Sequence, residues 1–171
     1  MTLADFNRDY LPIVQSVITL LGLISVVLLW WQIRLTRKWN KIDAAFRSMD
    51  VDKFAQIEAD AIDAGRTIGL LITNVLSTAD AKAIRATSTV LLKVKNFVIF
   101  LDKQAVGYLA GYFDDDVFAN TYGPLIRGYA KSLAQYIEFT RVDTENPEAY
   151  VDLEKAAEKL TADYNARQRK R

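Results

Sequence analysis

From Tyr10 to Ile33 the chain reads YLPIVQSVITLLGLISVVLLWWQI, 24 residues without a charged side chain. At about 1.5 Å per residue such a run makes a helix of roughly 36 Å, against a bilayer hydrocarbon core of about 30 Å. The pattern predicts a transmembrane helix over 10–33. A cleaved signal peptide would want a basic leader and small residues at its end. Here residues 1–9 are net acidic, and Trp30 and Trp31 occupy the end. Pro12 falls in the first turn, where its missing N–H costs little. Tyr10 and the Trp30–Trp31 pair fit the two interfaces, where amphipathic rings are favoured.

After Ile33 the pattern becomes amphipathic with a helical period, and no two-residue alternation lasts long enough for a sheet. The helix is expected to continue through the basic segment 34–49. Asp50 suits the N-cap of a helix from Val51 to about Thr73, with Phe54, Ile57, Ala61, Ile68 and Ile72 on its apolar side. Ser77–Asp80, STAD, has the form of a capping box opening a short helix to about Ala86. Thr87 or Ser88 restarts the chain into Val90–Leu109, apolar around most of its circumference, which belongs in the middle of a bundle and which Gly111 can end. Asp114–Asp116 precede a further helix, where carboxylates favour the macrodipole. Gly123–Pro124 interrupts that helix and restarts it to about Thr140. Asn146–Pro147 reads as an N-cap followed by Pro at the first helical position, opening a last helix to about Ala166. The fold class expected is all-α: a short extracytoplasmic leader 1–9, the span 10–33, a basic juxtamembrane helix 34–49, a cytoplasmic helical bundle 50–166 and a basic tail 167–171, assembled as an oligomer.

Within the span, Gln15, Thr19 and Gly22 recur at i, i+4 and i+7, and Val26, Leu29 and Ile33 continue the same stripe. Lipid offers no partner to a Gln or Thr side chain, so the stripe should face protein or water. It reads either as a helix-packing face in an oligomer or as the lining of a narrow pore, with Leu29 and Ile33 as its cytoplasmic gate.

Charge fixes the orientation expected. Residues 1–33 sum to −1, residues 34–47 to +4 and residues 167–171 to +4, leaving −6 on 48–166 within a total of +1. Cations after the span outnumber those before it, which puts the amino terminus outside and the bundle in the cytoplasm. An acidic domain argues against general nucleic-acid binding. The chain has no Cys and no His. That removes disulfides, thiolate nucleophiles, the usual zinc sites and any Ser-His or Cys-His pair. No glycine-rich phosphate loop and no paired-acid motif appears, so the chain reads as a non-enzyme without a cofactor or metal.

Tyr122, Tyr129 and Tyr136 repeat every seven residues beside Arg127, Lys131 and Arg141. A core-facing Tyr seam flanked by solvated cations is one reading. The other is a confined pocket for an anionic ligand, formed by Arg127, Tyr129, Lys131 and Arg141 and joined by Lys93 and Lys103 from the preceding helix. Arg37, Lys38 and Trp39, placed just beyond the span, are the residues expected to couple the two parts, with Trp39 against a neighbouring subunit.

The run Trp31-x-x-Arg34-x-x-Arg37-Lys38-Trp39-Asn40 after a single span resembles a family of small bacterial single-pass membrane proteins with a helical cytoplasmic domain, and Val90–Phe118 looks like that family's central helix and acidic turn. No Glu follows Asn96–Phe97, where the family has one, so no role is carried onto a Glu. Some proteins of this build look like membrane effectors of anti-phage systems of the Hailong type. That resemblance implies a bacterial inner-membrane ion channel; since homo-oligomers favour closed point groups, it is taken as a tetramer. It also implies gating through the bundle by a short oligonucleotide from a companion nucleotidyltransferase, with Gln15, Thr19 and Gly22 as pore wall. The alternative is a membrane-anchored scaffold or adaptor that recruits a soluble partner.

Overall fold

The computed structural model of the chain describes residues 11–48 and 51–169. Tyr10, the leader 1–9, the expected N-cap Asp50 and the tail residues Lys170 and Arg171 lie outside the described residues. All regular structure among the described residues is helical. The chain divides into two compact units, Met1–Asn40 and Lys41–Arg171.

The first unit is carried by α1, Leu11–Ser48, a single helix of 38 residues. Every side chain from Ile13 to Asn40 is exposed on the chain alone. The helix is long and apolar enough to cross a membrane. In water such a surface would be unstable, because burying apolar area is the main favourable term in folding.

The second unit contains α2 (Val51–Thr67), α3 (Thr78–Ala86), α4 (Ser88–Leu109), α5 (Asp115–Thr121), α6 (Gly123–Ser132), α7 (Ala134–Asp143) and α8 (Val151–Gln168). The apolar α4 lies in the middle, against α2, α3 and α8; α6 also packs on α8, and α3 on α7. Val94, Phe97, Val98 and Leu101 of α4 are fully buried with Ile84, Ile126, Ile137 and Leu153 from the helices around it. The last turns of α1 belong to this unit too, since Ala45 is buried in its core. The basic segment 34–49 is therefore divided between the two units.

Three boundaries differ from the sequence expectation. Helix α2 stops at Thr67, six residues early, in a Schellman turn: Leu70 N–H reaches Gly65 O at 2.9 Å, Gly69 N–H reaches Arg66 O at 3.0 Å, and Gly69 sits at φ +77°. The helix expected to run to Thr140 is divided at Leu133, because the Ser132 carbonyl accepts the Leu76 N–H of the α2–α3 connection at 2.9 Å. The last helix begins at Val151 and not at Pro147, with Tyr150 in the left-handed region at φ 59°. Asn146 accepts the Glu148 N–H in a local turn instead of capping that helix.

Elsewhere the local chemistry acts as read. Ser77 and Asp80 form the reciprocal capping box at α3. Asp114 caps α5 by accepting the Val117 N–H at 3.1 Å. Gly111, at φ 71°, closes α4 in a second Schellman turn, with Tyr112 N–H on Gly107 O at 3.0 Å. The turn folds Phe113 back against Gly107, into a stack with Phe118 (5.2 Å between centroids) and Tyr108 (4.7 Å from Phe118).

Candidate functional site

The stripe residues of α1, Gln15, Thr19, Gly22, Val26, Leu29 and Ile33, are exposed along a continuous helix. Two of the small polar side chains on this helix are satisfied internally. Thr19 Oγ1 donates to Gln15 O at 2.8 Å and Ser25 Oγ donates to Leu21 O at 2.9 Å. This i to i−4 back-bonding lets a hydroxyl sit in an apolar setting without water. Gln15 still presents a carboxamide, and Gly22 has open space where a side chain would be. At the other end, the Arg34 guanidinium lies 5.4 Å from the Trp30 ring, a cation–π contact suited to an interface. Arg37, Lys38 and Trp39 are exposed on the chain alone.

In the second unit the expected ligand residues hold separate positions. Lys93 on α4 meets Asp60 on α2 at 2.6 Å, and that ammonium holds the Asp60 carboxyl below its usual value. Tyr129 is buried, with its ring edge-on to Phe97 at 4.7 Å and its phenol donating to Glu58 Oε1. Burial foremost, and then Glu58, push that phenol up. Arg127 donates to Leu160 O at 3.3 Å and stacks over Tyr164 at 4.9 Å. Arg141 binds Glu154 and Ala149 O. Lys103 and Lys131 are exposed. Lys93, Arg127 and Arg141 thus tie helices together, and the Tyr122–Tyr129–Tyr136 seam lies in the core.

The acidic turn is similarly occupied. Asp114 caps, Asp115 lies 3.8 Å from Lys159, and Asp116 pairs with Arg167 at 2.8 Å. Among the described residues no cluster of acids is arranged to hold a metal ion.

A solvent-open cavity of about 400 Å³ lies between α3, α4, α7 and the loop into α8. Leu91, Ile99 and Phe139 give it an apolar lining, and Tyr136 and Tyr150 bring phenols. Arg85 stands at its edge, paired with Asp143 at 2.8 Å, together with Lys95. Lys95 is exposed and has no carboxylate partner among the described residues. Burial pushes the Tyr136 phenol up to about 12 and raises the Tyr150 phenol. Both are therefore neutral at neutral pH. Arg85, Lys95 and Tyr150 were not singled out from the sequence. One signal was legible: Leu91, Lys95 and Ile99 recur every four residues on one face of α4, a cation inside an apolar stripe.

No curated protein and no solved structure matches the chain. Residues 19–160, from within α1 to the middle of α8, match the family described as Domain of unknown function (DUF4760), and the chain belongs to that family.

Proposed function

We propose that the protein is a single-pass membrane effector, an oligomeric ion channel of bacterial anti-phage defence gated through its helical domain by a nucleotide or oligonucleotide. It works without catalysing a reaction. The observation that carries this reading is α1, an exposed helix with a charge-free stretch of bilayer length and a face of Gln15, Thr19 and Gly22. One such helix encloses nothing, so conduction requires several copies around an axis, and closed point groups are the usual solution. The inner membrane is its place, with the amino terminus outside and the helical domain cytoplasmic, since Arg34, Arg37, Lys38 and Lys41 all follow the stretch. Arg37, Lys38 and Trp39 then form the coupling between ligand-sensing domain and pore.

A second reading has its own support. Because the Thr19 and Ser25 hydroxyls are satisfied inside α1, the stripe can serve as a dry packing face. The protein is then an anchored adaptor that holds its helical domain at the membrane for a soluble partner.

Planar-bilayer recording on the purified full chain, with its mass in detergent, separates the two. Conductance from a complex of three or more copies, altered by an oligonucleotide, supports the channel. A silent monomer or dimer overturns it in favour of the anchor.

A further inference from the structure

We propose that the cavity between α3, α4, α7 and the α7–α8 loop is a binding site for a small anion made of one flat ring and one charged group. The apolar face is supplied by Leu91, Ile99 and Phe139, against which a ring can lie. Tyr136, almost fully buried, and the half-exposed Tyr150 complete the same walls. The only lining cation without a carboxylate among the described residues is Lys95; Arg85 is already held by Asp143. One uncompensated positive charge limits the ligand to a compact anionic group. A polyphosphate would bring further negative charge for which the lining offers no second unpaired cation.

The wall formed by the loop is fixed before any ligand arrives. Arg141 Nε donates to Ala149 O at 3.0 Å, and Asn146 Oδ1 accepts the Glu148 N–H at 3.1 Å. Glu145 and Tyr150 both hold left-handed backbone, at φ 52° and 59°. An aromatic residue kept in that region costs free energy locally, and such strain gathers where a site is pre-organised. Pre-organisation reduces the ordering cost of binding. As the sensor of a channel gated by a mononucleotide the site rests on the function proposed above; as a binding site it does not, and binding is measured apart from conductance.

The test is calorimetric titration of the full chain in zwitterionic lipid nanodiscs. The probes are 2-naphthoate and adenosine 5′-monophosphate, their neutral counterparts 2-naphthamide and adenosine, and adenosine 5′-triphosphate. At least one of the two simple anions should bind, and which one does identifies the ring as a plain aromatic or a nucleoside. Its neutral counterpart should bind about tenfold more weakly, the value of one charge-assisted hydrogen bond. The triphosphate should bind no tighter than the monophosphate. Lys95→Gln, at an exposed position, should abolish the preference for the anion, whereas Lys82→Gln on the surface of α3 should not. Failure of both anions to bind, equal binding of the neutral probes, or an unchanged preference in Lys95→Gln overturns the site. Tighter binding of the triphosphate overturns the single-charge assignment. Binding without any effect on conductance leaves the site standing and counts against this cavity as the channel's sensor.

Discussion

Arg141 on α7 holds Glu154 on α8 with both arms of its guanidinium: Nη2 to Oε2 at 2.6 Å and Nη1 to Oε1 at 3.3 Å. Its third nitrogen, Nε, donates to Ala149 O, so one side chain fixes α7, α8 and the loop between them. A planar fork does what an ammonium cannot. Arg141→Lys should keep the charge, lose the two-armed geometry and the loop contact, and cost about 1–2 kcal/mol. Chemical unfolding of the detergent-solubilised chain measures the cost, and hydrogen exchange should rise at Ala149 and Val151, whose amides are bonded within the loop. An unchanged midpoint with unchanged exchange would mean that the loop is held by other contacts.

Two glycines within helices should respond in opposite directions. A Cβ at Gly107 would lie 2.6 Å from the Phe113 ring, which is itself stacked on Phe118. The ring has little freedom to give way, so Gly107→Ala should destabilise by about 1–3 kcal/mol in spite of the better helix propensity. A Cβ at Gly128 meets nothing within 4 Å, and the residue is exposed inside α6. Gly128→Ala should stabilise by about 0.5–1 kcal/mol. Thermal unfolding of both variants side by side checks the contrast, and a shift of the same sign in both would refute it.

The buried Tyr136 predicts a loss of stability in alkali. Its phenol titrates at about 12 in the folded chain, against 10.0 when unperturbed, chiefly because burial disfavours the phenolate. Between these values the unfolded chain has released the proton and the folded chain has not. The contribution is therefore fully present below pH 10, and it is lost as the pH rises toward 12. It amounts to about 3 kcal/mol at most. Tyr136→Phe should flatten this part of the stability profile, while tyrosinate absorbance follows the titration directly. Parallel profiles for the variant and the parent chain would contradict the assignment.

What the sequence made legible follows from the range of each interaction. The capping box at Ser77–Asp80, the Asp114 cap and the Gly111 stop are decided within a few residues, and they stand where the pattern put them. The uncharged run was equally plain and became part of α1. The break at Leu133 was not legible, because it depends on Leu76 reaching the Ser132 carbonyl from a distant part of the chain. The start of α8 departs from the local pattern for a similar reason: Asn146–Pro147 is a good local signal, but Arg141 takes the Ala149 carbonyl and Tyr150 is left-handed. The cations were the least readable. Sequence shows that Lys93, Lys95, Arg127 and Arg141 exist, but only the fold shows that Asp60, Leu160 O and Glu154 engage three of them and that Lys95 stands at a cavity.

The stripe on α1 can be tested through the bond that Thr19 makes to its own helix. Its hydroxyl already donates to Gln15 O, so Thr19→Val removes a polar group whose partner lies one turn away and keeps the branched shape. Assembly should survive, with any loss below about 1 kcal/mol, the usual value of a hydrogen bond within a membrane bundle. Thr19→Leu adds bulk to a face that Gly22 leaves open. If that face lines a pore, ion flux through reconstituted protein falls severalfold while the mass of the complex stays the same. If it packs one helix against another, the larger side chain breaks the close approach and the complex falls apart. If it faces lipid, neither flux nor mass changes, and the stripe has no part in function. Ion flux and mass measured together on Thr19→Val and Thr19→Leu distinguish all three, because in a pore bulk governs conduction, whereas in a packed face it governs assembly.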